Sequence, residues 1–325
     1  MNILVTGGAG YVGSVCAEQL IKQKHRVVVY DNLSEGHRAA VPADSVFVKG
    51  ELADAAKLRS ALRRHRIEAI MHFAAKALVD ESVRNPASFY ANNVSATLNL
   101  LDVAVENKVN RFIFSSSAAV YGEPQTVPIP EEHPKSPVNP YGETKLAIER
   151  TLGWYAPAYG VKFAALRYFN AAGSTAALGE DHRPETHLIP RVLDAALDPS
   201  RKFTIYGEDY PTPDGTCLRD YVHVLDIAQA HILALRKLGK VDSAVYNVGL
   251  GKGYSIREVV RTVEEVTHRN IDVEAGPRRA GDPARLVASP EKISRELGWK
   301  PKHSELVKIV RSAWQWRQKH PRGYR

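Results

Sequence analysis

In the first half of the chain, short runs rich in Val and Ile alternate with longer stretches whose apolar residues recur every three or four positions. The runs are Ile3 to Thr6, Val27 to Tyr30, Val46 to Val48, Ala69 to Phe73, Arg111 to Ser115 and Lys162 to Arg167. Strand-length runs alternating with helical stretches predict a parallel sheet with helices on both faces, since a parallel neighbour needs a crossover connection. Val12 to Lys22, Ala56 to Arg64 and Ser95 to Glu106 carry the helical spacing and read as crossover helices. The expected class is α/β with a doubly wound sheet.

After about Phe169 the texture changes. Pro184, Pro190, Pro211, Pro213 and Gly215 interrupt the chain, and the strand–helix alternation loosens. Tyr221 to Leu235 reads as one more strand and helix, so the chain is expected to return briefly to the first lobe. A chain of 325 residues exceeds the usual size of a single core, roughly 100–200 residues. The expected division is a nucleotide-binding domain over 1–168, taking in about 221–240, and a smaller C-terminal α/β substrate lobe over 169–325.

Two motifs carry chemistry. The run Ile3 to Thr6 leads into GGAGYVG and then a helical pattern, placing Gly7, Gly10, Tyr11, Val12 and Gly13 at a strand-to-helix turn. There the backbone approaches a pyrophosphate closely and points amide N–H groups at it from the helix N-terminus. Asp31 closes the next strand, where a carboxylate accepts hydrogen bonds from ribose hydroxyls and repels a 2′-phosphate. The reading is a Rossmann-like site for NAD rather than NADP. The second motif, Tyr141-Gly-Glu-Thr-Lys145, sets a phenol and an ammonium on one helix face. A phenol is a poor base at neutral pH, and a neighbouring cation favours its phenolate. Ser115, Ser116 and Ser117 end a strand nearby, where a hydroxyl could bond a reacting oxygen.

Composition narrows the setting. The chain is 44% hydrophobic and 25% charged, and no apolar run approaches the roughly 18 residues that cross a membrane. Met1 and Asn2 lead straight into an interior strand, not a signal peptide. Cys16 and Cys217 are the only cysteines and have no paired spacing, as expected of reduced thiols in a cytoplasmic protein. The formal charge of +8 comes from scattered Lys and Arg, which suits an anionic diphosphate ligand and does not suggest nucleic acid. His72, His223 and the other histidines show no ligand spacing, so no metal is expected.

The glycines, three apart twice, differ from the usual dehydrogenase spacing and resemble the extended short-chain dehydrogenase/reductase family. Phe73-Ala74-Ala75 is similar to that family's nicotinamide-side loop, Asn92 falls where the family supports the cofactor, and Asn32 and Ser34 fall near the adenosine end. The segments FIFSSSAAVYG, NPYGETK, ALRYFNAAG, GEDHRPETHLIP, DGTCLRDYVHV and WQWRQKHPRGY resemble the UDP-glucose 4-epimerase family from end to end. The resemblance implies Ser117, Tyr141 and Lys145 as catalytic residues, each also touching cofactor. It implies Tyr168 beside the nicotinamide, Glu51 and Leu52 near the adenine, and Asn170, His187 and Leu188 on the UDP-hexose. Arg219 and Arg279 would grip the diphosphate and Asp282 the ribose.

Some positions depart from the family pattern. Glu51 replaces the commoner Asp, His187 stands where some relatives have Asn, and Lys76 is offset by one from the lysine that reaches the nicotinamide ribose. Leu286 falls at the position that gates sugar size, and its bulk implies exclusion of N-acetyl sugars. The implied reaction is a round trip of one hydride at the sugar C4, with bound NAD regenerated each turnover. The implied assembly is a homodimer through Ser95 to Glu106 and Thr144 to Trp154. Ala118 and Ala119 replace the acidic pair of nucleotide-sugar 4,6-dehydratases. Epimerases of UDP-pentoses or UDP-glucuronate stay open, and a non-catalytic NAD-sensing regulator would not need the Ser–Tyr–Lys set.

Overall fold

The computed structural model describes residues 1–238, 243–279 and 282–324. The end of the stretch expected to rejoin the first lobe, residues 239 and 240, lies outside them, as does the last residue of the chain. The first half follows the expected alternation: β1 (Asn2–Thr6), α1 (Tyr11–Lys22), β2 (Arg26–Asp31), β3 (Val46–Lys49), α2 (Ala55–Arg64), β4 (Ala69–His72), α3 (Val79–Arg84) and α4 (Pro86–Phe89). A π-helical turn over Tyr90–Ser95 leads into α5 (Ala96–Glu106), followed by β5 (Arg111–Ser117), α6 (Pro140–Tyr159) and β6 (Lys162–Tyr168). The second half holds β7 (Asn170–Ala172), α7 (Leu188–Leu197), β8 (Phe203–Tyr206), β9 (Leu218–Arg219), β10 (Tyr221–His223) and α8 (Val224–Lys237). Then come β11 (Ala244–Val248), β12 (Tyr254–Ser255), α9 (Ile256–Thr267), β13 (Val273–Gly276), β14 (Arg285–Leu286), α10 (Glu291–Leu297) and α11 (Leu306–Lys319).

Seven strands form one sheet in the order β3-β2-β1-β4-β5-β6-β11, and every neighbouring pair is parallel. Strand geometry sends successive side chains to opposite faces. Ile3, Val5, Val27 and Val29 therefore join one core with Ala17 and Leu20 of α1 and Ile227 and Ala230 of α8. Leu4, Val28, Ile70 and Phe112 join the other with Leu58 of α2, Leu100 of α5 and Ile148 of α6. Both faces are covered, so the strands read as continuous apolar runs. The chain order reverses between β1 and β4, which opens a crevice at the carboxyl ends of the strands, where ligands of open α/β sheets bind.

The stretch expected to return to the first lobe does so through its helix alone. α8 packs into the core shared with α1, whereas β10 pairs with β7 outside the seven-stranded sheet. The seventh strand is β11, which lies beyond the stretch expected to rejoin the sheet. A five-residue strand broken by the polar Asn247 carries little pattern of its own. The second lobe has its own core, where Ile189 and Val192 of α7, Val259 and Val263 of α9, and Ile309 and Val310 of α11 meet Phe203 and Ile205 of β8. Ser255 and Glu258 start α9 with a reciprocal capping box. Among the described residues, no helix is long and apolar enough to cross a membrane.

Candidate active site

One cleft runs from the glycine-rich turn across the ends of the strands and into the second lobe. Gly7 has φ +71°, and a Cβ there would stand 2.4 Å from the Ala74 backbone nitrogen, while one on Gly13 would stand 2.2 Å from the Gly7 carbonyl oxygen. Only hydrogen at these positions lets the first turn of α1 close onto β1 and the loop after β4. Gly10 caps α1 with no side chain over its free amides, which leaves them for an anion. Gly7, Gly10, Tyr11, Val12, Gly13, Phe73 and Ala75 line the cleft.

The residues expected at the adenosine end lie at and just beyond the carboxyl ends of β2 and β3. Asp31 accepts from the amides of Ala9 at 3.0 Å and Leu33 at 2.8 Å. Burial pushes its carboxyl up, and those two amides pull it back. A carboxylate offers about four lone-pair sites, so two stay open for hydroxyl donors. Asn32 donates to Glu51 at 3.0 Å, Ser34 is tied by its amide to Asn32, and the Leu52 carbonyl accepts from Asn99. Asp31, Asn32, Ser34, Glu51, Leu52, Ala74, Lys76 and Asn92 are not among the residues lining the cleft. Lys76 pairs with Glu81 at 3.1 Å. Asn92 donates to Asn93, and it is Asn93 that clamps the loop after β4 by bonding both Lys76 backbone groups and the Thr144 hydroxyl.

At the centre of the cleft, Asn139 and Pro140 start α6, with the Asn139 side chain accepting from the Gly142 amide at 2.9 Å. That cap sets Tyr141 in the first turn, facing the end of β5, with the Ser117 hydroxyl near enough to favour its phenolate. One turn on, buried Lys145 donates to the Ser115 carbonyl at 2.8 Å, and its ammonium lies 5.7 Å from the Tyr141 ring centre. Burial lowers Lys145 to about 7, opposed by Glu149, and burial raises Tyr141, opposed by the nearby Ser117 hydroxyl. A phenol beside an ammonium that gives up its proton near neutral pH can exchange a proton with a bound hydroxyl. Tyr168 ends β6 against Phe73 through the ring of His231, and its hydroxyl bonds Ser115.

The second lobe supplies the cleft's polar far wall. The Asn170 carbonyl oxygen Oδ1 is buried without a partner among the described residues and lies in the cleft lining. Buried Arg219 gives Nη1 to the carbonyls of Leu218 and Pro283, at 2.9 and 2.8 Å, and Nη2 to Asp282 at 2.5 Å. Of five guanidinium donors, those contacts leave two, in a fixed fork suited to phosphate oxygens. Arg279 is exposed and stacks its guanidinium 4.3 Å from the centre of the Tyr206 ring. His187, Leu188, Arg219, Arg279 and Asp282 all face this space with Ser117, Tyr141 and Lys145.

The model of the NAD dependent epimerase/dehydratase family matches residues 3–249. The chain belongs to that family. It is 49% identical to a UDP-glucose 4-epimerase of Halalkalibacterium halodurans, over all of this chain and 98% of the relative. A crystal structure of a UDP-glucose 4-epimerase superposes with a TM-score of 0.98 at 50% identity, covering both chains completely. A UDP-glucose 4-epimerase from Brucella ovis in complex with NAD superposes with a TM-score of 0.93 at 47% identity, over 96% of this chain and 97% of that one. The side-chain-free cradle at Gly7 and Gly13 fits the dinucleotide that gives the epimerase/dehydratase family its name.

Within this family framework, three features escape the linear reading. Asn93 is masked by the adjacent Asn92 and by the π-helical turn, which shifts the phase of the helix by one residue. Glu149 lies one turn beyond Lys145 and is gripped by Arg167 at 2.5 and 2.9 Å and by the Ser116 hydroxyl. The pairing of Glu149 with Arg167 is set by the sheet and not by spacing. Glu180, His182, Glu185 and His187 converge on one point of the cleft wall. Their E-x-H-x-x-E-x-H spacing is the signal along the chain, and it shows only when the histidines and glutamates are taken together.

Proposed function

We propose that this protein is a UDP-glucose 4-epimerase that interconverts UDP-galactose and UDP-glucose with NAD held through the turnover. The observation that carries the reading is the convergence of Ser117, Tyr141 and Lys145 on one cleft with Asn170, Arg219 and Asp282, below a turn shaped for a dinucleotide. Bound NAD supplies the hydride acceptor and donor for the sugar C4. Tyr141 removes and returns the proton of the 4-hydroxyl, Ser117 holds that oxygen, and Lys145 stabilises the phenolate by charge. Arg219, Arg279, Asp282 and the unpartnered Asn170 oxygen anchor the UDP, His187 and Leu188 border it, and the hexose is left free to present its opposite face.

At the cofactor, Gly7, Gly10, Tyr11, Val12 and Gly13 hold the pyrophosphate, while Asp31, Asn32, Ser34, Glu51 and Leu52 flank the adenosine. Phe73, Ala74, Ala75, Lys76, Asn92 and Tyr168 surround the nicotinamide half. Two buried free thiols agree with a cytoplasmic setting. Trp154, 77% exposed on α6, supports a homodimer through α5 and α6. A solution mass near twice 35.9 kDa is expected, and a monomer at micromolar concentration would exclude that pairing.

The deciding experiment incubates purified protein with UDP-galactose, without added NAD, and follows UDP-glucose by chromatography. Product is expected. Absence of product with and without added NAD would overturn the assignment, and turnover confined to UDP-pentoses or UDP-glucuronate would replace it with epimerisation of that sugar.

A further inference from the structure

The segment from Gly179 to α7 has two sets of side chains with separate destinations. Asp181 turns toward the C-terminal tail and the first lobe: it accepts from the Tyr324 amide at 3.0 Å and stands 3.3 Å from the His37 Nε2 and 3.2 Å from Arg183. Glu180, His182, Glu185 and His187 turn to a common point, with one ligand atom from each lying within 4.8 Å of all the others. The His187 Nδ1 is 3.0 Å from Glu180 and 2.9 Å from Glu185, and the His182 Nδ1 is 3.3 Å and 3.6 Å from the same two carboxylates. The His182 Nδ1 is buried and makes no well-directed hydrogen bond among the described residues.

We propose that Glu180, His182, Glu185 and His187 form a four-coordinate site for a divalent transition cation of the zinc class. Bonds of about 2.0–2.2 Å in a tetrahedral array place neighbouring ligand atoms roughly 3.3–3.6 Å apart; the histidine–carboxylate pairs stand at 2.9 to 3.6 Å and the whole set within 4.8 Å, so side-chain shifts of up to about an ångström close the array. Two imidazole nitrogens and two carboxylate oxygens suit zinc, cobalt or nickel. Calcium and magnesium take oxygen sets of six or more, a number this cluster does not provide. Four protein ligands close the coordination sphere, as in a structural site rather than one that activates water.

All four ligands fall within eight residues, so the ion would staple one short loop. His187 caps the N-terminus of α7 and His182 meets the Tyr11 ring edge-on at 6.4 Å, at the first residue of α1. The stapled loop therefore spans from the dinucleotide cradle to the helix that borders the sugar-nucleotide wall. The ion relieves the repulsion between two largely buried carboxylates and holds the cleft wall between the lobes. It takes part in no step of the chemistry.

Untagged protein purified without chelator should carry about one equivalent of a zinc-class ion per chain by mass spectrometry of the metals. After removal of that ion with a chelator, Co2+ titration should give the visible absorption bands of a four-coordinate site, saturating at one equivalent, and Zn2+ should displace them. His182→Asn and Glu185→Gln should each lose the ion and the bands while keeping the far-ultraviolet circular dichroism of the parent. Wild-type protein that holds no ion and gives no saturable cobalt band overturns the site, leaving the cluster as histidine–carboxylate ion pairs. So does a band that survives both substitutions. The wild-type measurements stand even if a variant fails to fold, and none of them depends on epimerase activity.

Discussion

Tyr141 is the residue on which the proposed chemistry turns, and its environment sets how it behaves. Its hydroxyl is buried beside Lys145, so the phenolate forms only with help from a nearby positive charge. Tyr141→Phe should slow epimerisation by about 10²- to 10⁴-fold, the usual worth of a positioned acid–base group, with NAD still bound. Turnover kept within a few-fold of the parent would remove Tyr141 from that role. The pH dependence follows from Lys145, which burial lowers to about 7. Below that value the Tyr–Lys pair carries both protons and the phenol is neutral. Above it the pair has lost one proton, and the remaining one can sit on the ammonium, leaving the phenolate. The rate should rise with pH through about 7 and then level off, and a profile that falls across that range would contradict the pairing. The sequence shows both residues and their spacing. The burial that moves their pKa values comes from β5 and α6 closing over them.

The same helix carries a second device. α6 presents Lys145 to the site and, one turn later, Glu149 to a buried network in which Arg167 of β6 also reaches the Tyr121 hydroxyl at 2.8 Å and the Glu131 carbonyl at 3.1 Å. Tyr121 in turn donates to Asn247 of β11 at 2.6 Å. The helix and the two strands β6 and β11 are thus joined behind Tyr141 and Lys145. Glu149→Leu should destabilise the fold by about 3–5 kcal/mol, because it leaves the Arg167 guanidinium buried without its counter-charge. Adding Arg167→Met should recover part of that loss, both read from urea denaturation midpoints. A double variant as unstable as the sum of the two singles would show that the pair does not act through its charges. None of this was legible along the chain, where Glu149 and Arg167 are ordinary charged residues 18 positions apart. The strands and crossover helices were legible, because their periodicity is local.

At the scale of the whole molecule, the site exists because two lobes meet. β14 runs beside β9 with Leu286 opposite Arg219, so the residue proposed to gate the sugar and the one proposed to grip the diphosphate share one three-stranded sheet. Leu286 also packs against the cluster of Ala118, Val120 and Phe169, and so stands between the lobes in the cleft lining. The parent should turn over UDP-N-acetylglucosamine poorly, and Leu286→Ser should raise that rate at least about tenfold relative to UDP-glucose. Comparable rates on both sugars in the parent would exclude Leu286 as the gate.

The sequence by itself determined the doubly wound sheet, the turn shaped for a dinucleotide and the placing of Tyr141 and Lys145 on one helix face. Each of these rests on residues within one or two turns or strands of one another, where backbone periodicity and steric allowance act locally. Only the tertiary structure decided that β11 completes the sheet, that Asn93 clamps the loop after β4, that Arg167 neutralises Glu149, and that two histidines and two glutamates face one point. Those outcomes depend on which distant segments pack together. Burial then assigns each polar side chain either a partner or an open valence, and no spacing along the chain encodes that choice.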